Sequence, residues 1–404
     1  MRAQPRAAPF WPVVLAAAGL LAVAMGSRSS MGLFLGPING ATSLGAATVS
    51  LAIAAGLLAW GAALPLCGLW EKRAGPVRVT FIGAIASSIG LALLSVSEGA
   101  ASLTAAMVFG GVSGAALGAP MLMAVVAQRV PAGRYPLAMG VVSAGSSAGQ
   151  LLYSMIGAAL ISAFGWQAAL LAFAATLLAA APLARMFRAP PVAVVEPAAS
   201  ESTPALRALR EPGYWCVTAG FCVCGFHVSF LTTHMPGVIE LCGLPPTFSG
   251  LWLAVVGACN IAGSLGAGWL MQRAPIRLLL AAVYALRALG VAAFIALPPS
   301  QALLLGFALW MGLTYMATLP LTTGILARLY GARRLAVLFG ITMAMHQIGS
   351  FLGTWLGGVE FQISGDYRWM WLADVLLATA AALVHLPLRE GDRAPGLAKP
   401  LPAH

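Results

Sequence analysis

The stretch Leu21–Ile38, LAVAMGSRSSMGLFLGPI, decides how the rest of the chain is interpreted. It continues an apolar run that begins near Trp11, yet it carries Arg28 about halfway along. A charge at mid-bilayer depth costs at least about 2.5–3.5 kcal/mol on insertion scales, and such residues usually face a protein interior or a water-filled cavity. A guanidinium is permanently charged, and its fork of donors suits a carboxylate or a phosphate. The stretch therefore predicts a membrane helix that holds an anion-attracting group.

The composition places this helix in an integral membrane protein. Of the 404 residues, 60% are hydrophobic and only 8% are charged, and the mean hydropathy is +0.90. A soluble domain carries about 25% charged residues, so this chain cannot cover a water-facing surface. The apolar run after the basic N-terminus is too long for a signal peptide, and we interpret it as the first span. The six cysteines lie mostly inside apolar runs without metal-ligand spacing, which is typical of small buried residues.

Hydropathy predicts twelve spans, numbered here in chain order, each near the roughly 20 residues that a bilayer requires. Their expected ranges are 11–38, 45–69, 77–97, 101–128, 137–162, 167–186, 213–240, 247–271, 276–297, 302–328, 335–362 and 368–388. We therefore expect an all-α membrane protein built from two six-helix bundles. The expected domains are an N-terminal bundle over 1–186, a polar linker over 187–212, a C-terminal bundle over 213–388 and a tail over 389–404.

The basic residues predict the orientation. All but three of the 22 Lys and Arg residues fall in segments on one side of the membrane, the exceptions being Arg28, Arg287 and Arg368. Cytoplasmic loops carry an excess of Lys and Arg. We therefore expect a protein of the inner (plasma) membrane whose two termini, linker and tail lie in the cytoplasm. This pattern explains the net charge of +11 without a nucleic-acid partner.

The two halves repeat at a constant offset of 200 residues. The matched pairs are Gly68/Gly268, Arg73/Arg273, Pro120/Pro320, Arg134/Arg334, Gly140/Gly340, Gly149/Gly349, Gly157/Gly357 and Gly165/Gly365. Each pair falls at the same place in its half. Two such bundles can rock about a site at their interface and expose it to each side in turn, which is how many secondary transporters work.

The loop after span 2 contains a recognisable motif. It runs from Gly68 to Arg78 and reads GLWEKRAGPVR. It resembles the signature loop of the major facilitator superfamily, Gly-x-x-x-Asp-Arg-x-Gly-Arg-Arg, through Gly68, Glu71, Arg73, Gly75 and Arg78. Lys72 occupies the usual acidic position and Glu71 lies one residue earlier, a departure that bears on the family's loop-to-helix ion pair but not on the fold. The same basic residues also act as topology signals.

Four further segments are similar to bacterial members of the superfamily of the monocarboxylate-porter type. They are 27–37 in span 1, 225–236 in span 7, 284–289 in span 9 and 346–353 in span 11. The resemblance implies proton-coupled transport, or exchange, of small organic anions. The usual porter arginine lies on span 8, where this chain has no basic residue before Arg273. We therefore expect Arg28 to take over its role.

Polar residues inside the spans are the candidates for a substrate site. We select Arg28, Tyr153, His227, Asn260, Tyr315, His346 and Gln347. His227 and His346 are also candidates for carrying a coupled proton, because histidine changes charge near neutral pH. Each candidate has a structural alternative, namely a hydrogen bond to a helix carbonyl or to a neighbouring helix.

Arg287 in span 9 and Asp374 in span 12 form a separate expectation. By the resemblance these two spans are neighbours, so we expect an Arg287–Asp374 ion pair that neutralises both residues and touches no substrate. Alternatively, Arg287 is a second anion ligand, and an unpaired Asp374 is a proton carrier.

Other function classes find little support. The chain has no phosphate-binding loop and no catalytic carboxylate pair or Ser/His/Asp set, so we expect neither an enzyme nor a cofactor. The predicted function is secondary transport of a small organic anion with a proton or by exchange. The alternatives are efflux of drug-like apolar or cationic compounds and, outside transport, a membrane sensor.

Overall fold

A computed structural model describes residues 10–131, 134–188 and 208–390 of the chain. Helices dominate these ranges and no strand occurs in them. Ten of the described helices are long and apolar enough to cross a membrane. One of the ten, Leu137–Arg188, contains spans 5 and 6, and the helix Arg368–His385 supplies span 12. The predicted all-α fold with twelve membrane helices is therefore confirmed.

The first half begins with an interrupted helix. Span 1 consists of Trp11–Ser29 and Gly32–Thr42. Spans 2 and 3 are Ala46–Ala74 and Pro76–Ser95. Span 4 is divided into Ala100–Gly114 and Ala119–Ala127. Spans 5 and 6 together form Tyr135–Ala180, which continues into a 3₁₀ helix at Ala181–Arg188. The predicted linker lies for the most part, over 189–207, outside the described residues, as does the tail from 391 onward.

The second half repeats this order. Spans 7, 8 and 9 are Pro212–Leu241, Pro246–Leu270 and Ile276–Ala296. Span 10 is divided into Gln301–Tyr315 and Thr318–Tyr330, and spans 11 and 12 are Ala332–Ser364 and Arg368–His385. Spans 4 and 10 break at equivalent places, each just before the matched prolines, since proline has no N–H for the helix ladder and is tolerated in a first turn.

Matched glycines show the repeat at the level of packing. Gly149 leaves no room for a Cβ against the carbonyl of Ala22, and Gly349 leaves none against the carbonyl of Cys222. Ala22 and Cys222 are themselves 200 residues apart. The absence of side chains lets spans 1 and 5, and likewise spans 7 and 11, approach backbone to backbone.

The halves meet mainly through spans 2 and 11 and through spans 5 and 8. At one end of the bundle, which we call the closed end, Gly32 also packs on the backbone of Thr232 and Thr233. There the amide of Ala47 donates a hydrogen bond to Gln362 Oε1 at 2.9 Å. Spans 1, 2, 7 and 11 thus seal the interface at this end.

Candidate functional site

Arg28 lies beside the interruption of span 1. The Ser30 hydroxyl donates to the carbonyl of Gly26 at 2.9 Å, and the Ser27 hydroxyl donates to that of Ala24 at 3.1 Å. Serine side chains that bond back to the preceding turn weaken and bend a helix. The serine-rich sequence around Arg28 therefore accounts for a break next to the embedded charge.

The guanidinium of Arg28 has an aromatic neighbour but no acidic one. Its Cζ lies 4.2 Å from the ring centroid of Trp60 in span 2, a cation–π contact. Nε is buried without a hydrogen-bond partner, and within the described ranges the guanidinium makes neither a hydrogen bond nor an ion pair. The phenol of Tyr315, from the other half, lies close enough to interact with it electrostatically. The embedded guanidinium thus faces the interface between the two halves with N–H donors that make no hydrogen bond.

Tyr315 owes its position to the break in span 10. Pro320 cannot donate to the carbonyl of Met316, which accepts from Leu319 N instead at 3.1 Å. The break leaves the carbonyls of Thr314 and Tyr315 available, and both accept hydrogen bonds from Arg287 Nη2, at 2.6 and 2.8 Å. Tyr315, the last residue of its helix, is held in place by a buried arginine.

Asn260 in span 8 secures the same break from another side. Its Oδ1 accepts the amide of Met316 at 3.1 Å, and its Nδ2 donates to Ser147 Oγ of span 5 at 3.3 Å. Asn260 was selected as a substrate ligand, but its side chain is 5% exposed and bridges three helices. Its contacts are those of a positioning residue behind Tyr315.

Asp374 pairs with His227 rather than with Arg287. The distance from His227 Nδ1 to Asp374 Oδ2 is 2.6 Å, and the two residues are 1% and 0% exposed. Arg287 is also fully buried, but its bonds go to the carbonyls of span 10. The expected Arg287–Asp374 ion pair is therefore wrong for this structure. The broken helix supplies Arg287 with acceptors, and Asp374 faces span 7, although Arg287 and Asp374 still attract each other electrostatically.

His227 consequently finds its partner in span 12, inside the C-terminal half. Tyr153 behaves likewise in the N-terminal half, where its hydroxyl donates to Thr176 Oγ1 at 2.5 Å and its ring meets the edge of Phe173 at 4.7 Å. Neither of these two predicted ligands makes a hydrogen bond with the guanidinium, although the Tyr153 ring packs on Gly26 in the helix that carries Arg28.

Gln347 lies at the contact between spans 2 and 11, whereas the ring of His346 packs on Phe221 of span 7, with 4.6 Å between the ring centroids. His346 Nδ1 is 3.0 Å from Gln347 Oε1, and Gln347 Nε2 donates to the carbonyl of Leu57 at 2.8 Å. Leu57 is one helical turn from Trp60, so Gln347 packs on the same stretch of span 2 as the tryptophan that holds Arg28. Of the predicted residues, Arg28, Tyr315 and Gln347 thus border the interface, whereas His346 makes contacts within the C-terminal half.

Trp60 was not selected from the sequence, although it contacts Arg28 directly. Tryptophans in membrane proteins concentrate at the two water interfaces. Trp60 instead lies in the middle of the helix Ala46–Ala74 and is 6% exposed. A tryptophan at mid-span was the signal that could have identified it.

The signature loop lies at the end of span 2. Gly75 has a φ of 81°, and its amide donates to the carbonyl of Glu71 at 2.8 Å. Burial lowers the pKa of Arg129, which follows span 4, and the Glu71 carboxylate opposes that shift. The acid therefore still interacts with a basic residue beyond span 4, despite its displacement by one position. Arg73 and Arg78, with Gly68, flank this contact in the sequence.

In the described part of the chain, no three His, Cys, Asp or Glu side chains cluster in a way that could hold a metal ion.

The family model of the Major Facilitator Superfamily matches residues 17–354 of the chain.

Curated relatives align over nearly the whole chain. The MFS-type transporter YcxA of Bacillus subtilis is 23% identical, with 96% of each chain covered. Monocarboxylate transporter 13 of Rattus norvegicus is 24% identical over 93% of this chain and 89% of the relative, and monocarboxylate transporter 11 of Mus musculus is 25% identical over 94% and 87%. Among solved structures, a bacterial homologue of the human lysosomal transporter Spinster, inward-facing and unoccupied, superposes with a TM-score of 0.77. It is 17% identical, with 93% of this chain and 96% of that chain covered.

Proposed function

Because the chain belongs to the Major Facilitator Superfamily and is a membrane transporter rather than an enzyme, we propose that it carries a small organic anion, most simply a monocarboxylate. Arg28 is the proposed ligand of the carboxylate. The fold works by alternating access, so the ligand has to be reachable from each side in turn. Arg28 and Tyr315 come from different halves, which suits a site that both bundles share.

The observation that carries the proposal is the unpartnered guanidinium of Arg28. Charged side chains inside membranes normally pair with one another or with backbone carbonyls, and they mark substrate and ion pathways. Among the described residues, the guanidinium of Arg28 stacks on Trp60 and lies near the Tyr315 phenol, but it makes no hydrogen bond. A substrate carboxylate would supply the missing acceptor through charge-assisted hydrogen bonds.

The surroundings of Arg28 favour one carboxylate over two. Trp60 is an apolar platform, and Tyr315, beside the Thr232 hydroxyl, offers a phenol. The second embedded arginine, Arg287, is fully buried and already bonded to two carbonyls. One available cation fits a monoanion, and the kinship with proteins named monocarboxylate transporters agrees with this choice.

The orientation of the protein is part of the proposal. If the basic loops and both termini are cytoplasmic in the inner membrane, the closed end at Gly32 and Gln362 faces the outside. The conformation then corresponds to the inward-facing half of the transport cycle. The anion would leave Arg28 toward the cytoplasm from this state.

A coupled proton would remove the electrostatic penalty of moving an anion across the membrane. The titratable candidates are the two histidines selected above, His227 and His346. Exchange of one anion for another is the alternative that avoids a proton altogether.

The test is a thermal-shift panel on purified protein with acetate, pyruvate, L-lactate, benzoate and succinate. A ligand that binds the native state raises the melting temperature by mass action. We expect one monocarboxylate to stabilise the wild type and not Arg28→Ala. The matched control is Arg273→Ala, which removes an arginine stacked 3.6 Å from the Trp269 ring far along the chain and should leave the shift intact.

The competing function is efflux of apolar or cationic compounds. Asp374 is the one acid predicted well inside a span, and its bond to His227 and complete burial disfavour it as a cation ligand. Stabilisation of the wild type by cationic or apolar compounds, with none by any anion of the panel, would establish efflux instead.

A further inference from the structure

We propose that the His227–Asp374 pair is the proton-binding site of the transporter, and that Arg287 couples it to the anion site at Arg28. The inference rests on the proposed anion transport, and it names the residues that make the transport proton-dependent.

The pair has room for one more proton. His227 Nδ1 and Asp374 Oδ2 are 2.6 Å apart, while Asp374 Oδ1 is buried and has no hydrogen-bond partner. A neutral imidazole beside an ionised carboxylate carries one negative charge, which balances the positive charge of Arg287. An added proton makes the pair neutral and leaves the guanidinium uncompensated. Loading the pair therefore adds one positive charge to the interior of the C-terminal half.

Arg287 connects this charge to the substrate. It attracts Asp374 electrostatically, and its Nη2 holds the carbonyls of Thr314 and Tyr315 at the break of span 10. The phenol of Tyr315 in turn interacts with Arg28. When the pair is protonated, Arg287 loses an opposing charge, so the region behind Tyr315 becomes more positive and an anion at Arg28 is favoured. By reciprocity the bound anion favours the proton equally.

Other titratable groups lie near Arg287 and Cys224, next to the pair. They are Cys224 on span 7, Tyr284 on span 9, Tyr315 on span 10 and His346 on span 11, and His385 on span 12 stacks on Tyr284. Cys224 Sγ is 3.1 Å from Thr318 Oγ1 and also interacts with Arg287. Among the described residues, His227–Asp374 is the one pair in which a histidine contacts a carboxylate.

His234 provides a matched control. It is a buried histidine of the same helix as His227, but its Nε2 lies 2.7 Å from the carbonyl of Thr354 and it has no acidic partner. If any buried histidine of span 7 could carry the proton, His234→Gln would abolish coupling as readily as His227→Gln. We expect His234→Gln to keep coupling.

The experiment uses the full-length protein in liposomes and the carboxylate of the panel that gives the largest thermal shift. Two rates are measured, namely exchange of labelled carboxylate at equal pH on both sides and accumulation driven by a pH gradient. We expect Asp374→Asn, which keeps the shape of the side chain, to retain exchange and to lose accumulation down to its level without a gradient. Retained gradient-driven accumulation in Asp374→Asn overturns the proposal.

A second measurement covers the case in which Asp374→Asn fails to fold. Proton uptake on carboxylate binding is followed with a pH indicator in weakly buffered detergent solution, where the wild type should take up about one proton per carboxylate bound. His227→Gln should bind the carboxylate without proton uptake, and His234→Gln should bind it with uptake. Unchanged uptake in His227→Gln overturns the assignment, while failure of every carboxylate to bind or exchange in the wild type overturns the anion function and this inference together.

Discussion

Arg287 Nη2 lies 2.8 Å from the carbonyl oxygen of Tyr315, so a fully buried arginine of span 9 holds the end of a broken helix in span 10. The same Tyr315 approaches Arg28 from the other half with its side chain. The two embedded arginines of the chain are therefore connected through one tyrosine. Arg287 acts on its backbone and Arg28 meets its phenol.

This connection predicts a large loss of stability in Arg287→Met. The substitution removes a charged donor from two buried carbonyls and an attractive charge from Asp374, which together cost about 2–5 kcal/mol. The melting temperature of the purified protein, compared with that of Arg273→Met, measures the effect. An equal melting temperature for the two variants would mean that the carbonyls of Thr314 and Tyr315 need no donor.

Trp60→Leu should weaken carboxylate binding without abolishing it. The ring lies 4.2 Å from the guanidinium of Arg28, and a cation–π contact contributes about 0.5–2 kcal/mol, so the Kd of the carboxylate should rise about 2- to 30-fold. Isothermal titration on Trp60→Leu and Trp60→Phe measures it, and the phenylalanine variant should fall in between. Trp269→Leu removes the contact of this kind with Arg273 and should bind as the wild type does. A similar Kd for the Trp60 and Trp269 variants would remove Trp60 from the site.

The fold was predictable from the sequence because the bilayer itself imposes the pattern. Spans must reach a minimum apolar length, and the helix ends fall within a few residues of those expected. The 200-residue offset paired Gly165 with Gly365 as residues at equivalent places, and both have a positive φ, of 83° and 75°. Arg28 could likewise be identified from the sequence, because an arginine inside an apolar span is energetically costly whatever its partner.

The pairing of polar residues was harder to predict. Successive residues of a helix differ by about 100° in direction, so the partner of Asp374 depends on the rotation of three helices. The break in span 10 also leaves backbone carbonyls that accept hydrogen bonds from Arg287, and the pattern of side chains in the sequence does not predict them. Tyr153 points to span 6 for the same reason of rotation, since its height along span 5 says nothing about its direction.

Gly149→Ala should destabilise the protein, and Gly140→Ala should not. The added Cβ of Gly149 meets the backbone of Ala22, whereas nothing lies within 4 Å of the Cβ position at Gly140. Overpacking of this kind costs about 1–3 kcal/mol, whereas alanine at an open helical position gains roughly 0.5–1 kcal/mol. Melting temperatures of the two variants give the comparison. If both variants melt alike, close approach of spans 1 and 5 is not required for stability.

The same comparison can be repeated in the second half. Gly349 meets the backbone of Cys222, and Gly340 has open space around its Cβ position. Because the repeat places the two pairs in equivalent packing, Gly349→Ala should lower the melting temperature and Gly340→Ala should not. A tolerated Gly349→Ala beside a damaging Gly149→Ala would show that the halves differ in how tightly their helices pack.

The closed end gives a prediction about conformation. A Cβ on Gly32 would collide with the backbone of Thr232, whereas Gly40, on the same helix, has nothing within 4 Å. Gly32→Val should therefore disfavour contact between spans 1 and 7 and shift the population toward states that are open at this end. Spin labels at Ala41 and Cys242, with the remaining cysteines replaced, report the separation of the halves there.

The wild type and Gly40→Val should share one distance distribution between these labels, and Gly32→Val should show a longer one. Backbone contact at Gly32 can be relieved only by separating the spans, because a carbonyl cannot rotate away as a flexible side chain can. An unchanged distribution in a folded Gly32→Val protein would show that the closed end is sealed mainly by the hydrogen bond from Ala47 to Gln362. Gln362→Ala would then be the variant that opens it.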